Sequence, residues 1–275
     1  MAAALVFGPA AVASASPDAG SEPLRVAGAS TIQPVLEDLA DDYLARTGRA
    51  LQAKGGGARE ALRLLRAGEV DVAAISRAPT DEEAEEFAHA VIGMDGLAVV
   101  VHRDNPVRSL SHRELRMIFS GGTRRWEGGW PGADTAIVIS RHPGRASRAH
   151  FAAFLWPEAE PGRAADNFHS DAWAAEANLD VLLWVGGLPS AIGFVSAGEA
   201  HRLSGMGMPV RAIAIDGVAP TVENLRNGSY PLVRRLTLLF GPECRYGREL
   251  ADLALSAKGA ETLLSYGFCP PDRDP

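Results

Sequence analysis

The stretch LRVAGASTIQPVLEDLADDYL, residues 24–44, joins a short apolar run to a longer amphipathic one. The first four residues predict a strand. After the turn, apolar side chains recur every three or four residues, which predicts one amphipathic helix. We expect Ser30 or Thr31 to cap that helix and Pro34 to lie in its first turn. The apolar positions at this spacing are Ile32, Val35, Leu36, Leu39, Tyr43 and Leu44.

The same alternation of strand and helix patterns continues to the end of the chain. Short apolar, β-branched runs predict strands, and the amphipathic segments between them predict helices. Such alternation is typical of an α/β architecture with largely parallel sheets. Later predicted strands are 71–76, 97–101, 136–140, 191–195 and 232–240, and predicted helices lie around residues 62–65, 111–118, 151–155, 179–185 and 248–266.

Composition and charge limit the possible functions. The 275 residues include 27 Lys and Arg against 34 Asp and Glu, a formal net charge of −7. Because non-specific nucleic-acid binding needs a basic face, we expect no nucleic-acid partner. The seven His and two Cys lack metal-ligand spacing, so we expect no metal and no other cofactor, with most His at the surface. The acidic run 81–86 predicts a solvated helix face.

Residues 1–15 are uncharged and mostly apolar, and end in Ala-Val-Ala-Ser-Ala. This pattern predicts a signal peptide and a periplasmic location. No Lys or Arg precedes the apolar run, so the basic N-terminal part of the signal is expected to be missing from this sequence. The first Cys is Cys244, which argues against a lipid anchor at the cleavage site. Cys244 and Cys269 are expected to form a disulfide or to be two free buried thiols.

Three strand-to-helix turns share one chemistry. They are 28–31 (Gly-Ala-Ser-Thr), 55–58 (Gly-Gly-Gly-Ala) and 144–147 (Gly-Arg-Ala-Ser). Helix N-termini present free backbone N–H groups, small residues allow a ligand to approach, and hydroxyls add donors. With Ser76-Arg77 and Ser140-Arg141 at two strand ends, these turns indicate a site for a small oxyanion.

At this point the chain resembles the PstS-type phosphate-binding receptors of phosphate ABC transporters. The stretches that carry the resemblance follow one another over nearly the whole chain after the signal segment. They are AGASTIQPV (27–35), GGGAREAL (55–62), VDVAAISR (70–77), DGLAVVV (95–101), Asn105-Pro106, the segment 115–121 with Trp126, Ser140-Arg141, AIGFVS (191–196), the segment 215–224, Tyr230-Pro231 and the segment 255–268.

The resemblance implies a two-domain, type II periplasmic-binding-protein fold with the ligand in a cleft between the lobes. Two hinge strands would cross between the lobes, 97–101 outward and 232–240 back. Domain I would comprise residues 24–100 and 232–275, and domain II residues 101–231. The implied function is a monomer that captures inorganic phosphate and delivers it by hinge closure to ABC permease subunits, with no catalytic residues.

The resemblance also implies the ligand-binding residues. Ser30 and Thr31 match donors of the first loop, Gly57 matches the second loop and Ser76 the third strand end. Arg141 matches the arginine that faces the anion, since a guanidinium fork suits a tetrahedral oxyanion. Gly144 and Ser147 match a loop glycine and a hydroxyl donor.

One departure from the family pattern is Arg145, which stands where many relatives have Ser. If Arg145 points into the cleft, the pocket gains charge and loses room, which would suit an organophosphate or a phosphonate. If it points out, phosphate recognition survives with one donor fewer. Both alternatives stay open at this stage.

A second departure concerns the group that accepts the proton of monohydrogen phosphate, because sulfate lacks that proton. Some relatives place an Asp after the Ser of the third strand, where this chain has Arg77. Asp95 is the best remaining acceptor, against the plainer reading of an Asp in a turn before Gly. Two other functions stay open: a receptor that senses an oxyanion without transporting it, and a phosphatase that uses the same cleft.

Overall fold

The computed structural model describes residues 22–123, 135–160 and 162–271, and the predicted signal segment 1–15 lies outside them. The strands are β1 (Leu24–Gly28), β2 (Leu51–Gly55), β3 (Val72–Ile75), β4 (Ala88–His102), β5 (Ser109–Leu110), β6 (Ile137–Arg141), β7 (Trp173–Ala175), β8 (Ala191–Ser196), β9 (Val210–Ile215) and β10 (Val233–Phe240). The helices are α1 (Gln33–Asp38), α2 (Ala40–Thr47), α3 (Ala58–Arg66), α4 (Asp81–Glu86), α5 (His112–Phe119), α6 (Ala146–Leu155), α7 (Asn178–Gly187), α8 (Ala197–Gly205), α9 (Val222–Arg226), α10 (Arg245–Ala254) and α11 (Ala257–Ser265).

The long strand β4 joins two halves of one sheet. The strand order is β2-β1-β3-β10-β4-β8-β6-β7, with β9 beside β4 and β5 beside β9. Residues 88–96 of β4 pair with β10, whereas residues 97–102 pair with β8 and β9. We call the part with β1, β2, β3 and β10 the first half, and the part with β5 to β9 the second half.

The sheet is mixed: five of the nine strand pairings among the described residues are parallel, as predicted, and four are antiparallel. Strands β1, β2 and β3 are parallel, as are β6, β7 and β8. Strands β4 and β10, which carry the chain out of the first half and back into it, pair antiparallel with all their neighbours. Short apolar runs do not reveal strand direction, so the antiparallel pairings of β4 and β10 were not predicted.

The chain passes between the halves within β4 and again just before β10. Leu97 N–H donates to the carbonyl of Leu232 at 2.8 Å, and the buried Tyr230 hydroxyl donates to the carbonyl of Leu97 at 3.0 Å. The predicted crossing strand 97–101 is the second part of a longer strand, and 232–240 begins at Val233 and lies in the first half. The domain boundaries stay predictions.

Two predicted helices are each divided in two. The first ends and restarts at Leu39, which is buried and lies between α1 and α2. Residues 248–266 divide between α10 and α11, where Ser256 caps α11 by accepting from Gly259 N–H at 3.3 Å. The predicted cap of α1 was also wrong: Ile32 holds that position without a side-chain bond, and the Thr31 hydroxyl accepts from Arg234 at 3.1 Å.

Each half has its own apolar core. In the first half, Val35, Leu36 and Tyr43 pack beneath the sheet with β10 and α10. In the second, Phe151 stacks on Phe194 with ring centroids 4.2 Å apart. Cys244 and Cys269 are free thiols rather than a disulfide, and of the two only Cys269 is buried, whereas Cys244 is half-buried. Within the described ranges no helix is long and apolar enough to cross a membrane.

Candidate anion-binding site

Arg234 is the centre of the polar cluster where the two halves meet, and the sequence analysis missed it. Its guanidinium is buried, and Nη2 donates to the Thr31 hydroxyl at 3.1 Å while Nη1 lies 3.5 Å from the Ser76 hydroxyl. Arg234 is on the buried face of β10, which it shares with Leu236. The sequence signal that could have identified Arg234 is its position in an apolar strand, where it alternates with core residues although it is charged.

Asp95 holds Arg234 in place. The Asp95 carboxylate is fully buried in β4, and its Oδ2 accepts from Arg234 Nε at 3.0 Å and from Nη2 at 2.7 Å. Oδ1 accepts from the Ser196 hydroxyl at 3.1 Å and from Gly198 N–H at 3.4 Å. Burial raises the pKa of Asp95, and these donors oppose that rise. Asp95 therefore lies in a strand rather than a turn and connects both halves.

The predicted site residues of the first half contribute unequally to this cluster. Thr31 and Ser76 are buried and contact Arg234, whereas Ser30 is exposed. Gly57 begins α3 with φ +92°, a left-handed conformation that favours glycine, and its N–H donates to the Gly28 carbonyl at 2.9 Å. A Cβ on Gly28 would lie 1.9 Å from the Ala74 carbonyl oxygen, so only glycine fits there.

Arg141 lies at the end of β6 in the second half and is buried. Its Nη1 bonds to the Asn178 side-chain oxygen and its Nη2 donates to the Glu176 carbonyl at 2.7 Å, so both partners are neutral. Its Nε has no partner. Burial lowers the pKa of Arg141 to about 10, with a further contribution from the positive charges of Arg145 and Arg234. The guanidinium stays charged at neutral pH.

The residues of the third turn, 144–147, differ in how far they are buried. Ser147 is buried in the first turn of α6, and Gly144 is exposed with φ +90°. Arg145 donates to Glu176 Oε2 from Nε at 3.2 Å and from Nη2 at 2.7 Å, where 36% of the Arg145 side chain and 56% of that of Glu176 are exposed. The positive charge of Arg145 is therefore paired at the rim.

Arg77 follows the third strand, where some relatives have an acidic residue. Its Nη1 and Nη2 each donate to the Glu83 carboxylate at 2.7 Å. Glu83 is buried and also closes the capping box of α4 with Thr80, so the predicted solvated face 81–86 was wrong at this residue. Arg77 lowers the pKa of Glu83 by hydrogen bonding.

His150 was also missed, because most histidines were expected at the surface. It lies one turn after Ser147 on α6 and is half-buried, and its Nε2 is enclosed without a hydrogen-bond partner. Burial, together with the positive charge of Arg234, lowers the pKa of His150, so the imidazole is neutral near pH 7.

The cluster can bind an anion by charge and by neutral donors. Arg234 comes from the first half and forms an ion pair with Asp95. Arg141 comes from the second half, and the hydrogen bonds shown give it no acidic partner. The Thr31, Ser76 and Ser147 hydroxyls add donors. In the part of the chain that the structure describes, no group of His, Cys, Asp and Glu could hold a metal.

Two α/β halves with a buried, positively charged cluster at their junction define a class of protein, the two-lobed binding receptors. The chain belongs to one family of that class: the sequence model of the PBP superfamily domain matches residues 13–270.

Similar proteins agree with this assignment. The phosphate-binding protein PstS of Bacillus subtilis is 25% identical over 214 residues, which are 76% of this chain and 67% of that protein. PstS 2 of Streptococcus pneumoniae strain TIGR4 is 30% identical over 105 residues, 38% of this chain and 36% of that protein. The chain thus matches only part of each relative's length.

Solved structures show the same fold. A phosphate ABC transporter substrate-binding protein of Clostridium perfringens with bound phosphate has a TM-score of 0.79 and 22% identity, covering 91% of this chain and 100% of that one. An ABC-type phosphate transport receptor of Vibrio cholerae has a TM-score of 0.71 and 23% identity, covering 90% and 100%. The predicted periplasmic-binding-protein fold is confirmed.

Proposed function

We propose that this protein captures inorganic phosphate between its two halves and delivers it to the permease of an ABC transporter. The observation that most supports the proposal is Arg141, a buried cation with neutral partners and an unbonded Nε. A buried charge without a counter-ion is costly, so an anion that enters the site relieves that cost. The names of the B. subtilis and C. perfringens proteins favour phosphate as that anion.

In this proposal the phosphate contacts both halves. Thr31, Ser76 and Arg234 bind it from the first half, and Arg141 and Ser147 from the second. Ser30 and Gly144 are retained as backbone donors at the rim, and Gly57, whose N–H already donates to the Gly28 carbonyl, is retained for the conformation of its loop. The pairing of Arg145 with Glu176 supports the alternative in which Arg145 faces away from the anion, and so favours phosphate over an organophosphate or a phosphonate.

Delivery would follow from closure of the two halves about the crossings at Leu97 and Leu232. An anion that bonds to both halves stabilises the closed state, because only that state completes its contacts. We further propose that the protein acts as a monomer outside the cytoplasmic membrane, in agreement with the export signal predicted at residues 1–15.

Calorimetric titration of protein that has been unfolded and refolded to strip bound ligand tests this function. We expect micromolar or tighter phosphate binding, about −8 kcal/mol. Arg141→Met should weaken it at least about a hundredfold, because a charged buried contact is lost. Arg163→Met, at an exposed arginine of the second half, is the matched control. No phosphate binding by the wild type would refute the function, and phosphate release from a chromogenic ester would indicate the phosphatase instead.

A further inference from the structure

Asn178 bonds directly to the buried guanidinium of Arg141. Asn178 is the first residue of α7, and its Oδ1 accepts from Arg141 Nη1, while Arg141 Nη2 donates to the Glu176 carbonyl at 2.7 Å. Separate partners on the two terminal nitrogens fix the orientation of the guanidinium plane. Because a guanidinium has five N–H donors, these two bonds leave three, including that of Nε, without a partner in the hydrogen bonds shown.

Glu199 determines which end of the Asn178 amide meets Arg141. Glu199 Oε2 accepts from Asn178 Nδ2 at 2.7 Å. A carboxylate only accepts and a guanidinium only donates, so a reversed amide would place oxygen against oxygen and N–H against N–H. Both hydrogen bonds would then be lost. The amide oxygen is therefore directed to the arginine by its partners on both sides.

The same set of hydrogen bonds reaches the other arginine of the site. Glu199 N–H donates to the Ser196 hydroxyl at 3.4 Å, and that hydroxyl donates to Asp95 Oδ1 at 3.1 Å. Ser196 is fully buried between β8 and α8, and Asp95 pairs with Arg234. One continuous network therefore connects the guanidinium of Arg141 in the second half with that of Arg234 in the first.

The neighbouring acidic side chains do not replace the contact from Asn178. Glu176 bonds to Arg145 with its carboxylate and gives Arg141 only its backbone carbonyl. Asp180 Oδ2 accepts from an N–H of its own helix start, at 2.7 Å. In the part of the chain that the structure describes, Asn178 is the one side chain to which the Arg141 guanidinium donates.

We propose that Asn178 is a positioning residue of the anion site, which holds the Arg141 guanidinium in its binding orientation before the anion arrives, and that Glu199 holds Asn178 in turn. A long side chain that is already ordered loses less conformational entropy on binding. Because the amide is neutral, it orients the guanidinium without compensating its charge. Asn178 acts through Arg141 and not by contact with the anion. This inference deepens the proposed function and rests on it.

A double-mutant cycle followed by calorimetric titration with phosphate tests this role. Asn178→Leu approximately keeps the shape of the side chain and removes both of its hydrogen bonds, so it should weaken phosphate binding by at least about tenfold. In the Arg141→Met background the same substitution should change the dissociation constant by less than about twofold, because the group that Asn178 positions is absent. Asn167→Leu, at an exposed asparagine of the second half, is the matched control and should leave binding unchanged in both backgrounds.

Two variants of Glu199 separate its hydrogen bond from its charge. Glu199→Gln keeps an acceptor for Asn178 Nδ2 and removes the negative charge, so it should bind phosphate within about threefold of wild type. Glu199→Leu removes the acceptor as well and should weaken binding by about fivefold or more. Both variants keep Asn178 in place, so this test does not depend on the folding of Asn178→Leu.

The outcomes distinguish the inference from the function on which it rests. Equal losses for Asn178→Leu in the two backgrounds would show a general structural effect and overturn the inference, and so would wild-type affinity in Asn178→Leu. Glu199→Leu that binds phosphate as tightly as Glu199→Gln would overturn the role of Glu199. All three results leave the proposed function intact, whereas wild type that does not bind phosphate would refute the function itself.

Discussion

Replacement of Arg234 by Met tests the centre of the site most directly. The substitution removes both hydrogen bonds to Asp95 and the bond to Thr31, and leaves the fully buried Asp95 carboxylate with Ser196 and Gly198 alone. Breaking one side of a buried ion pair costs about 3–5 kcal/mol. We expect a loss of that size in the free energy of unfolding.

The same substitution should weaken phosphate binding. Arg234 has five N–H donors, and the hydrogen bonds shown use four, so an Nη1 proton is available to the anion. A hydrogen bond to a charged group is worth about 1.5–3 kcal/mol, which corresponds to roughly 10–150-fold in affinity. Arg235→Met is the matched control, because Arg235 is the next residue of β10 and is exposed.

Urea unfolding followed by circular dichroism measures the first effect and calorimetry the second. The double variant Asp95→Asn, Arg234→Met should be more stable than the sum of the single changes predicts, by about 0.5–3 kcal/mol, because the charge left behind is removed. Binding should stay weak in the double variant. Unfolding of Arg234→Met within about 0.5 kcal/mol of Arg235→Met would refute the argument from the buried pair.

Three further predictions follow from the contacts around the site. Arg145→Ala should change phosphate affinity by less than about fivefold in a titration, because its exposed pair with Glu176 contributes about 0–1 kcal/mol; a hundredfold loss would show that Arg145 faces the anion. Arg77 holds the pKa of Glu83 below its ordinary value, so the stabilisation by Glu83 is present above the ordinary carboxyl range and lost as pH falls below it. Urea titrations should therefore show a smaller acid loss of stability for Glu83→Gln than for wild type, and equal losses would contradict this. Burial lowers the pKa of His150 in the folded protein, so the unfolded chain binds a proton at this imidazole more readily. Wild type should therefore lose stability between about pH 7 and about pH 5 in urea titrations, and His150→Gln should lose less. Identical stability-versus-pH profiles for the two proteins would argue against a buried neutral imidazole.

Local pattern was sufficient for much of the fold. The runs that became β3, β6 and β8 were placed within a residue or two, because buried strands have a dense apolar signal. The helix predicted around residues 111–118 begins where expected, because Ser111 and Glu114 form a capping box in which each side chain accepts from the other residue's backbone N–H. Strand direction, the division of the first helix at Leu39 and that of the last before Ser256 depend on packing against distant segments and were not predictable in this way.

The candidate site was predictable where a residue follows a strand or begins a helix. Thr31, Ser76, Arg141 and Ser147 all lie at such positions, and all are buried. Arg234 lies inside a strand, and its partner Asp95 is 139 residues away in sequence. The only local signal that distinguishes Arg234 from the exposed Arg235 is the alternation along β10, which places Arg234 on the same face as Leu236.

The charges of the site explain why composition gave so little information about binding. Arg145 pairs with Glu176 in the solvent-exposed rim, and Arg234 pairs with Asp95 in the interior, with 6% and 0% of their side chains exposed. Both pairs are locally neutral, whereas the hydrogen-bond partners of Arg141 are uncharged and leave its positive charge uncompensated by direct contact. One buried cation surrounded by neutral donors attracts an anion more strongly than many solvated charges repel it, since water and salt screen the latter. A net charge of −7 is therefore compatible with tight binding of a dianion, and the affinity depends on how fully that one guanidinium is satisfied.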